Sequence, residues 1–180
     1  MGRPLDQLIA GHVLDVPDFP KPGVMFKDLT PLFADGPAFR ELIDGIVDHY
    51  RGADGSLDFD VVAGIEARGF VIAAAVAYAA GSGVVAVRKA GKLPRETLSA
   101  SYALEYGEAT LEVHADAFIA RQRVLVVDDV LATGGTAEAT LGLVESAGGT
   151  VAGLCVLLEL GFLDGRSRLP GRELWSLLTV

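Results

Sequence analysis

The chain has 180 residues, 51% of them apolar, which is enough for one domain with a full core and too apolar for a disordered segment. Lys and Arg number 15 against 24 Asp and Glu, a net charge of −9, which argues against general nucleic-acid binding because that requires a basic face. The single Cys155 excludes an internal disulfide, and His12, His49 and His114 lack metal-ligand spacing, so each is expected as a surface or helix residue.

From the start, Met1–Pro4 is followed by Asp6 and no long apolar stretch, so no secretory leader is expected. Residues 5–14 have the spacing of a short helix, with Leu5, Leu8, Ile9 and Val13 to one side. Val16 to Asp28 carries three prolines and a glycine, which predict an irregular, rigid loop. It also carries Phe19 and Phe26. Either both pack on the core as a lid edge, or one stacks on a flat ligand whose edge is read by neighbouring backbone groups.

Residues 37–50 predict an amphipathic core helix through Phe39, Leu42, Ile43, Ile46, Val47 and Tyr50. Gly52–Ser56 reads as a loop. Phe59–Ala63 predicts a strand ending in the turn Gly64-Ile-Glu-Ala-Arg-Gly-Phe70, with a helix over 69–80. The Ala-rich run Val71–Ala80 is too short to span a membrane, and a reduced, cytosolic setting is expected. Gly83–Val87 predicts a third strand. It leads into Arg88-Lys-Ala-Gly-Lys-Leu-Pro-Arg95, four positive charges with no negative one in an acidic protein. Such a segment is either a solvated loop or a site for a highly charged anion such as pyrophosphate. Residues 96–112 predict a β-ribbon too polar and small for the core. Together 89–112 form an expected flap, and long flaps in compact domains are commonly functional.

The most informative stretch is 124–136. Val124–Val127 is an unbroken apolar run suited to a strand buried on both faces. Asp128 and Asp129 follow at its carboxyl end. Ala132, Thr133, Gly134, Gly135 and Thr136 then supply a small, hydroxyl-rich turn, and Ala137, Leu141, Val144 and Ala147 recur at helical spacing. The glycines allow close backbone approach, Thr133 and Thr136 are candidate helix caps, and the free amides of a helix start favour an anion. A phosphate at 132–136 is therefore expected. The two carboxylates beside it fit a ligand that also offers sugar hydroxyls or a cation, so a sugar phosphate satisfies both halves. No lysine follows the glycines as in a Walker loop, and no G-x-G-x-x-G dinucleotide fingerprint occurs. Thr150–Leu158 and Leu174–Leu178 predict further strands. Cys155 falls within the first of these and is expected to be buried. Strands alternating with helices predict an α/β domain over 1–180, with a mostly parallel central sheet flanked by helices, and no repeat or linker.

The stretch 126–136 resembles the phosphoribosyl-pyrophosphate signature of type I phosphoribosyltransferases. With Pro17–Asp28, Gly64–Phe70, Arg88–Pro94 and Ser99–Gly107 in order, the likeness narrows to the adenine phosphoribosyltransferase family, over roughly residues 16–160. The resemblance implies the type I fold with a small flap or hood, and the reaction of adenine with 5-phosphoribosyl 1-pyrophosphate to give AMP and pyrophosphate. It implies that Phe26 stacks on the purine while backbone groups of Met25 and Lys27 read its edge; Lys27 stands where many relatives carry Arg. Glu66, Ala67 and Arg68 would face the pyrophosphate, with Arg88, Lys89 and Lys92 neutralising it. Asp128 and Asp129 would take the ribose hydroxyls, and Ala132–Thr136 the 5′-phosphate. Glu105 on the flap would be the general base. Mg²⁺ would be held mainly by ligand oxygens and water, with no dedicated protein site. A cytoplasmic homodimer with no nucleic-acid or membrane partner is implied. The rival readings are an enzyme using hypoxanthine or xanthine, a non-catalytic regulator, which should carry a basic DNA-binding segment, and a sugar-phosphate-binding module without turnover.

Overall fold

The computed structural model describes residues 3–104 and 107–180. Its centre is a seven-stranded sheet in the order β5-β6-β4-β3-β7-β8-β9. The strands β3 (Val61–Ile65), β4 (Gly83–Lys89), β7 (Arg123–Leu131), β8 (Thr150–Glu159) and β9 (Leu174–Thr179) are parallel. The ribbon β5 (Thr97–Leu104) and β6 (Gly107–His114) is antiparallel and joins the sheet through Arg88 and Lys89 opposite Glu112 and Leu111. This is the predicted α/β architecture.

Alternation along the buried strands divides the core into two layers. Val62, Leu125, Val127, Cys155 and Leu157 face α1 (Leu5–Ala10), α3 (Gly36–His49) and α4 (Arg68–Ala80). Val61, Ala63, Val124, Val126, Leu154 and Val156 face α5 (Gly135–Ser146). Cys155 is buried, and burial pushes its thiol well above the usual range, as befits a packing residue. From β3 the chain crosses through α4 to β4 on one side; from β7 it crosses through α5 to β8 on the other. The carboxyl ends of β3 and β7 therefore flank a topological switch point, where α/β sheets bind ligands.

Several expectations need correction. Residues 16–28 are not wholly irregular: β1 (Leu14–Pro17) and β2 (Met25–Asp28) pair antiparallel, and α2 (Thr30–Ala34) follows. Pro17 is tolerated because it ends an edge strand. The helix expected over 5–14 stops at Ala10, since Gly11 closes it. The strand expected at Phe59–Ala63 begins at Val61, and Phe59 is buried just before it. The ribbon is not excluded from the core: Leu111 and Val113 are fully buried, because alternation gives β6 one apolar face despite its polar composition. His114 is a strand residue, and its Nε2 is buried without a hydrogen-bond partner among the described residues.

Candidate active site

The turn after β3 is shaped by close approach. A methyl on Gly69 would lie 2.8 Å from the Val127 carbonyl oxygen and 2.9 Å from Asp128 Oδ1, so only glycine lets α4 start against the end of β7. The Glu66–Ala67 peptide just before it is cis. Glu66 Oε2 accepts the Lys89 backbone N–H at 3.0 Å and lies 3.3 Å from Arg88 Nε. The Lys89 hydrogen bond, reinforced by the Arg88 charge, holds the Glu66 carboxyl below the usual carboxylate range.

Asp128 and Asp129 fall inside β7, which runs on to Leu131, beyond the end that the sequence suggested; Asp129 is 5% exposed and its Oδ2 lies 2.7 Å from Arg68 Nε. Asp128 Oδ1 accepts the Asp129 backbone N–H at 2.9 Å. Desolvation, with the adjacent Asp129 carboxylate, pushes the Asp128 carboxyl well above the usual range. The Arg68 guanidinium also sits 5.0 Å from the centre of the Phe26 ring, a cation–π distance. One arginine thus touches both the aromatic loop and the acid pair.

Neither Thr133 nor Thr136 caps α5. The cap position is Gly134 at φ +83°, with no side-chain cap bond. Among the described residues no side-chain cap bond is made at this helix start, which leaves its first-turn amides open to an anion.

These parts enclose one cleft of roughly 350 Å³. Met25, Phe26, Lys27, Glu66, Ala67, Arg68, Lys89, Asp128, Asp129, Ala132 and Thr136 all line it. Thr133 and Gly134 line a smaller recess that shares Asp128, Ala132 and Thr136 with it. Gly135 lies under the flap, where a methyl would come 3.2 Å from the Tyr102 ring. Arg88 and Lys92 do not line the cleft: Arg88 is drawn back by Glu66 and donates to the Lys92 carbonyl at 3.0 Å, and Lys92 is exposed. Lys27 Nζ turns away to Asp15 at 2.7 Å, across the β1–β2 pair. That leaves only its main chain for a ligand. Among the described residues β2 has a single partner strand, which leaves its other edge open. Phe26 is half-buried against Phe19 at 5.0 Å, and Phe19 itself is 51% exposed, so the pair is no core element. Glu105 lies outside the described residues.

Tyr102, Val130 and Leu160 also line the cleft and were not anticipated. The alternation Leu98, Ala100, Tyr102 on the ribbon was a usable signal for the tyrosine, since all three pack on the α5-side core. Leu160 simply follows a core strand and carries no signal of its own.

The phosphoribosyl transferase domain family matches residues 33–174. A protein of Salinispora arenicola named adenine phosphoribosyltransferase is 75% identical over 179 residues, covering 99% of this chain and 93% of the relative. A Thermobifida fusca protein of the same name is 55% identical with full coverage of both. The chain belongs to the adenine phosphoribosyltransferase family. Among solved members, the Thermoanaerobacter pseudethanolicus enzyme superposes with a TM-score of 0.89 at 48% identity, covering 98% of this chain and 99% of that one. The Saccharomyces cerevisiae enzyme, complexed with adenine and an imino-altritol bisphosphate, gives 0.91 at 38% identity, covering 97% and 98%. No helix of the described residues is long and apolar enough to cross a membrane.

Proposed function

We infer that the protein converts adenine and 5-phosphoribosyl 1-pyrophosphate to AMP and pyrophosphate, a purine salvage reaction. The observation that carries this is the single cleft in which an aromatic loop faces an acid pair and an uncapped helix start. Each third of the product has a matching wall. Phe26 stacks on the purine, and main-chain groups of Met25 and Lys27 read its edge. Asp128 and Asp129 accept the ribose hydroxyls. The amides and hydroxyls of 132–136 take the 5′-phosphate. Glu66, Ala67 and Arg68 face the pyrophosphate with Lys89. Arg88 and Lys92 join them when the basic segment closes over it, once the phosphate competes with Glu66 for Arg88.

Purine N9 forms a bond to the anomeric carbon while the bond to pyrophosphate oxygen breaks and its electron pair leaves with pyrophosphate. Positive charge develops on the ribose, and negative charge on the leaving group meets the cationic wall. Glu105 takes the proton lost from N7, as a general base; in the reverse direction it returns that proton. Closure of the flap, 89–112, excludes water that would hydrolyse the sugar pyrophosphate.

Among the described residues no three His, Cys, Asp or Glu side chains gather as a metal cage. Two carboxylates, one already engaged by Arg68, fit a Mg²⁺ that brings most of its oxygen ligands from the substrate and water. When bound, that ion supplies charge neutralisation at the pyrophosphate.

We read 1–180 as one domain, with 16–28 as its base-reading loop. Val71 and Tyr78, seven residues apart on one face of α4, are 47% and 90% exposed, and Val84 on β4 is 52% exposed. This apolar surface suits a second copy of the chain, and turnover of two dissolved metabolites fits a cytoplasmic setting.

The test is a product balance. Protein, Mg²⁺, adenine and 5-phosphoribosyl 1-pyrophosphate should yield AMP and pyrophosphate in equal amounts. Pyrophosphate without AMP, or no product, overturns the reading.

A further inference from the structure

Beyond β8 lies a one-turn 3₁₀ segment, Gly165–Arg168, that the reaction does not use directly. It is pressed main chain to main chain against the loop 132–134. A methyl on Gly165 would fall 2.1 Å from the Ala132 carbonyl oxygen and 3.0 Å from the Gly134 nitrogen. A methyl on Gly134 would fall 2.4 Å from the Gly165 carbonyl oxygen. The two segments therefore fit only as bare backbone, and the strap blocks any movement of the loop toward it.

A charged fork ties this strap down. Glu159, the last residue of β8, is 6% exposed. Arg166 meets it through Nη2 to Oε2 at 2.6 Å and Nε to Oε1 at 3.1 Å, and Nη1 donates to the Leu174 carbonyl of β9 at 3.2 Å. Planar, two-point pairing fixes orientation as well as distance. The fork therefore anchors Gly165 to two sheet strands, and Gly165 in turn backs the loop whose Ala132 and Thr136 line the cleft. A buried ion pair is weak evidence for stability but can fix a geometry.

We propose that Glu159 and Arg166 are positioning residues for the 5′-phosphate subsite: they hold the Gly165 strap, and the strap preorganises 132–136. The proposal rests on the assignment of that loop to the phosphate. It separates the pair from a merely structural role, because loosening the loop should weaken the sugar substrate and spare the Phe26 end of the cleft, which the strap does not touch.

The test compares Michaelis constants for both substrates, each with the other saturating, in Arg166→Met, Arg166→Lys and Glu159→Gln, with thermal midpoints recorded alongside. Arg166→Met should raise KM for 5-phosphoribosyl 1-pyrophosphate at least fivefold and shift that for adenine less than twofold. Arg166→Lys, which keeps charge without the fork, should lie between it and the parent. The two conservative variants keep the reading available should Arg166→Met fail to fold. A double variant Thr133→Val, Thr136→Val serves as the loop reference. If it raises KM for the sugar while the Arg166 and Glu159 variants do not, the strap proposal falls alone. If none of the variants moves that constant, the phosphate-loop assignment falls and takes the strap with it. Equal rises in both constants would make the pair a general stability element and overturn the proposal.

Discussion

Arg68 Nε stands 2.7 Å from Asp129 Oδ2. The same guanidinium lies 5.0 Å from the Phe26 ring centre. One side chain therefore links the surfaces assigned to the base, the sugar and the pyrophosphate. Replacing it removes a cation from the leaving-group wall and leaves a nearly buried carboxylate without its partner. Arg68→Gln should lower kcat/KM for 5-phosphoribosyl 1-pyrophosphate by roughly 10- to 100-fold, about 1.4–2.7 kcal/mol of transition-state stabilisation. Steady-state kinetics with adenine saturating checks this; a change under twofold would remove Arg68 from the site.

Phe26→Ala separates the base from the sugar. Stacking of a base on an aromatic ring contributes about 1–3 kcal/mol, so KM for adenine should rise roughly five- to hundredfold. KM for the sugar pyrophosphate should move little. Equal rises would mean that the ring supports the fold rather than the purine.

Much of this arrangement was readable in the sequence because it rests on local patterns. Val124–Val127 had to be a buried strand and alternation of strand and helix set a parallel sheet, but the acid pair lies inside β7, which pairing with β8 carries on to Leu131. What could not be read depends on partners distant in the chain. Nothing near Arg88 shows that it pairs with Glu66, 22 residues earlier. Nothing near Lys27 points to Asp15. The threonines at 133 and 136 have cap chemistry, but the strap at Gly165 and the left-handed Gly134 set the helix start instead. The burial of Leu111 and Val113 follows from the face that β6 turns to α5, which polar composition conceals.

Asp128 offers a stability test with a definite sign. Its folded carboxyl is displaced upward, first by desolvation and then by Asp129. Between the unfolded value, about 3.9, and the higher folded one, the native state holds more protons than the unfolded chain. Stability therefore falls as pH rises through that window, and the charged form is the costly one at neutral pH. Asp128→Asn should raise the thermal midpoint at pH 8, by about 2–4 °C per kcal/mol recovered, with the gain vanishing below about pH 4. Turnover should fall in the same variant, because the amide is a poorer acceptor for ribose hydroxyls. A lowered midpoint at pH 8 would contradict an upward displacement of the Asp128 carboxyl.

Glu105→Gln tests the proton transfer. General-base catalysis typically contributes about 10²–10⁴-fold, so kcat should drop within that range while equilibrium binding of 5-phosphoribosyl 1-pyrophosphate, followed by calorimetry, stays nearly unchanged. An unaltered turnover number would take Glu105 out of the mechanism.

The central claim is that the Met25–Lys27 edge and the sugar-phosphate wall serve one reaction on one particular base. The most direct measurement is nucleotide formation from adenine, guanine, hypoxanthine and xanthine, assayed in parallel with Mg²⁺ and 5-phosphoribosyl 1-pyrophosphate. The account predicts AMP from adenine and no nucleotide from the other three. A nucleotide from any other base would contradict the reading of the Phe26 loop, and binding of the sugar pyrophosphate without product from any base would contradict the assignment of an enzyme.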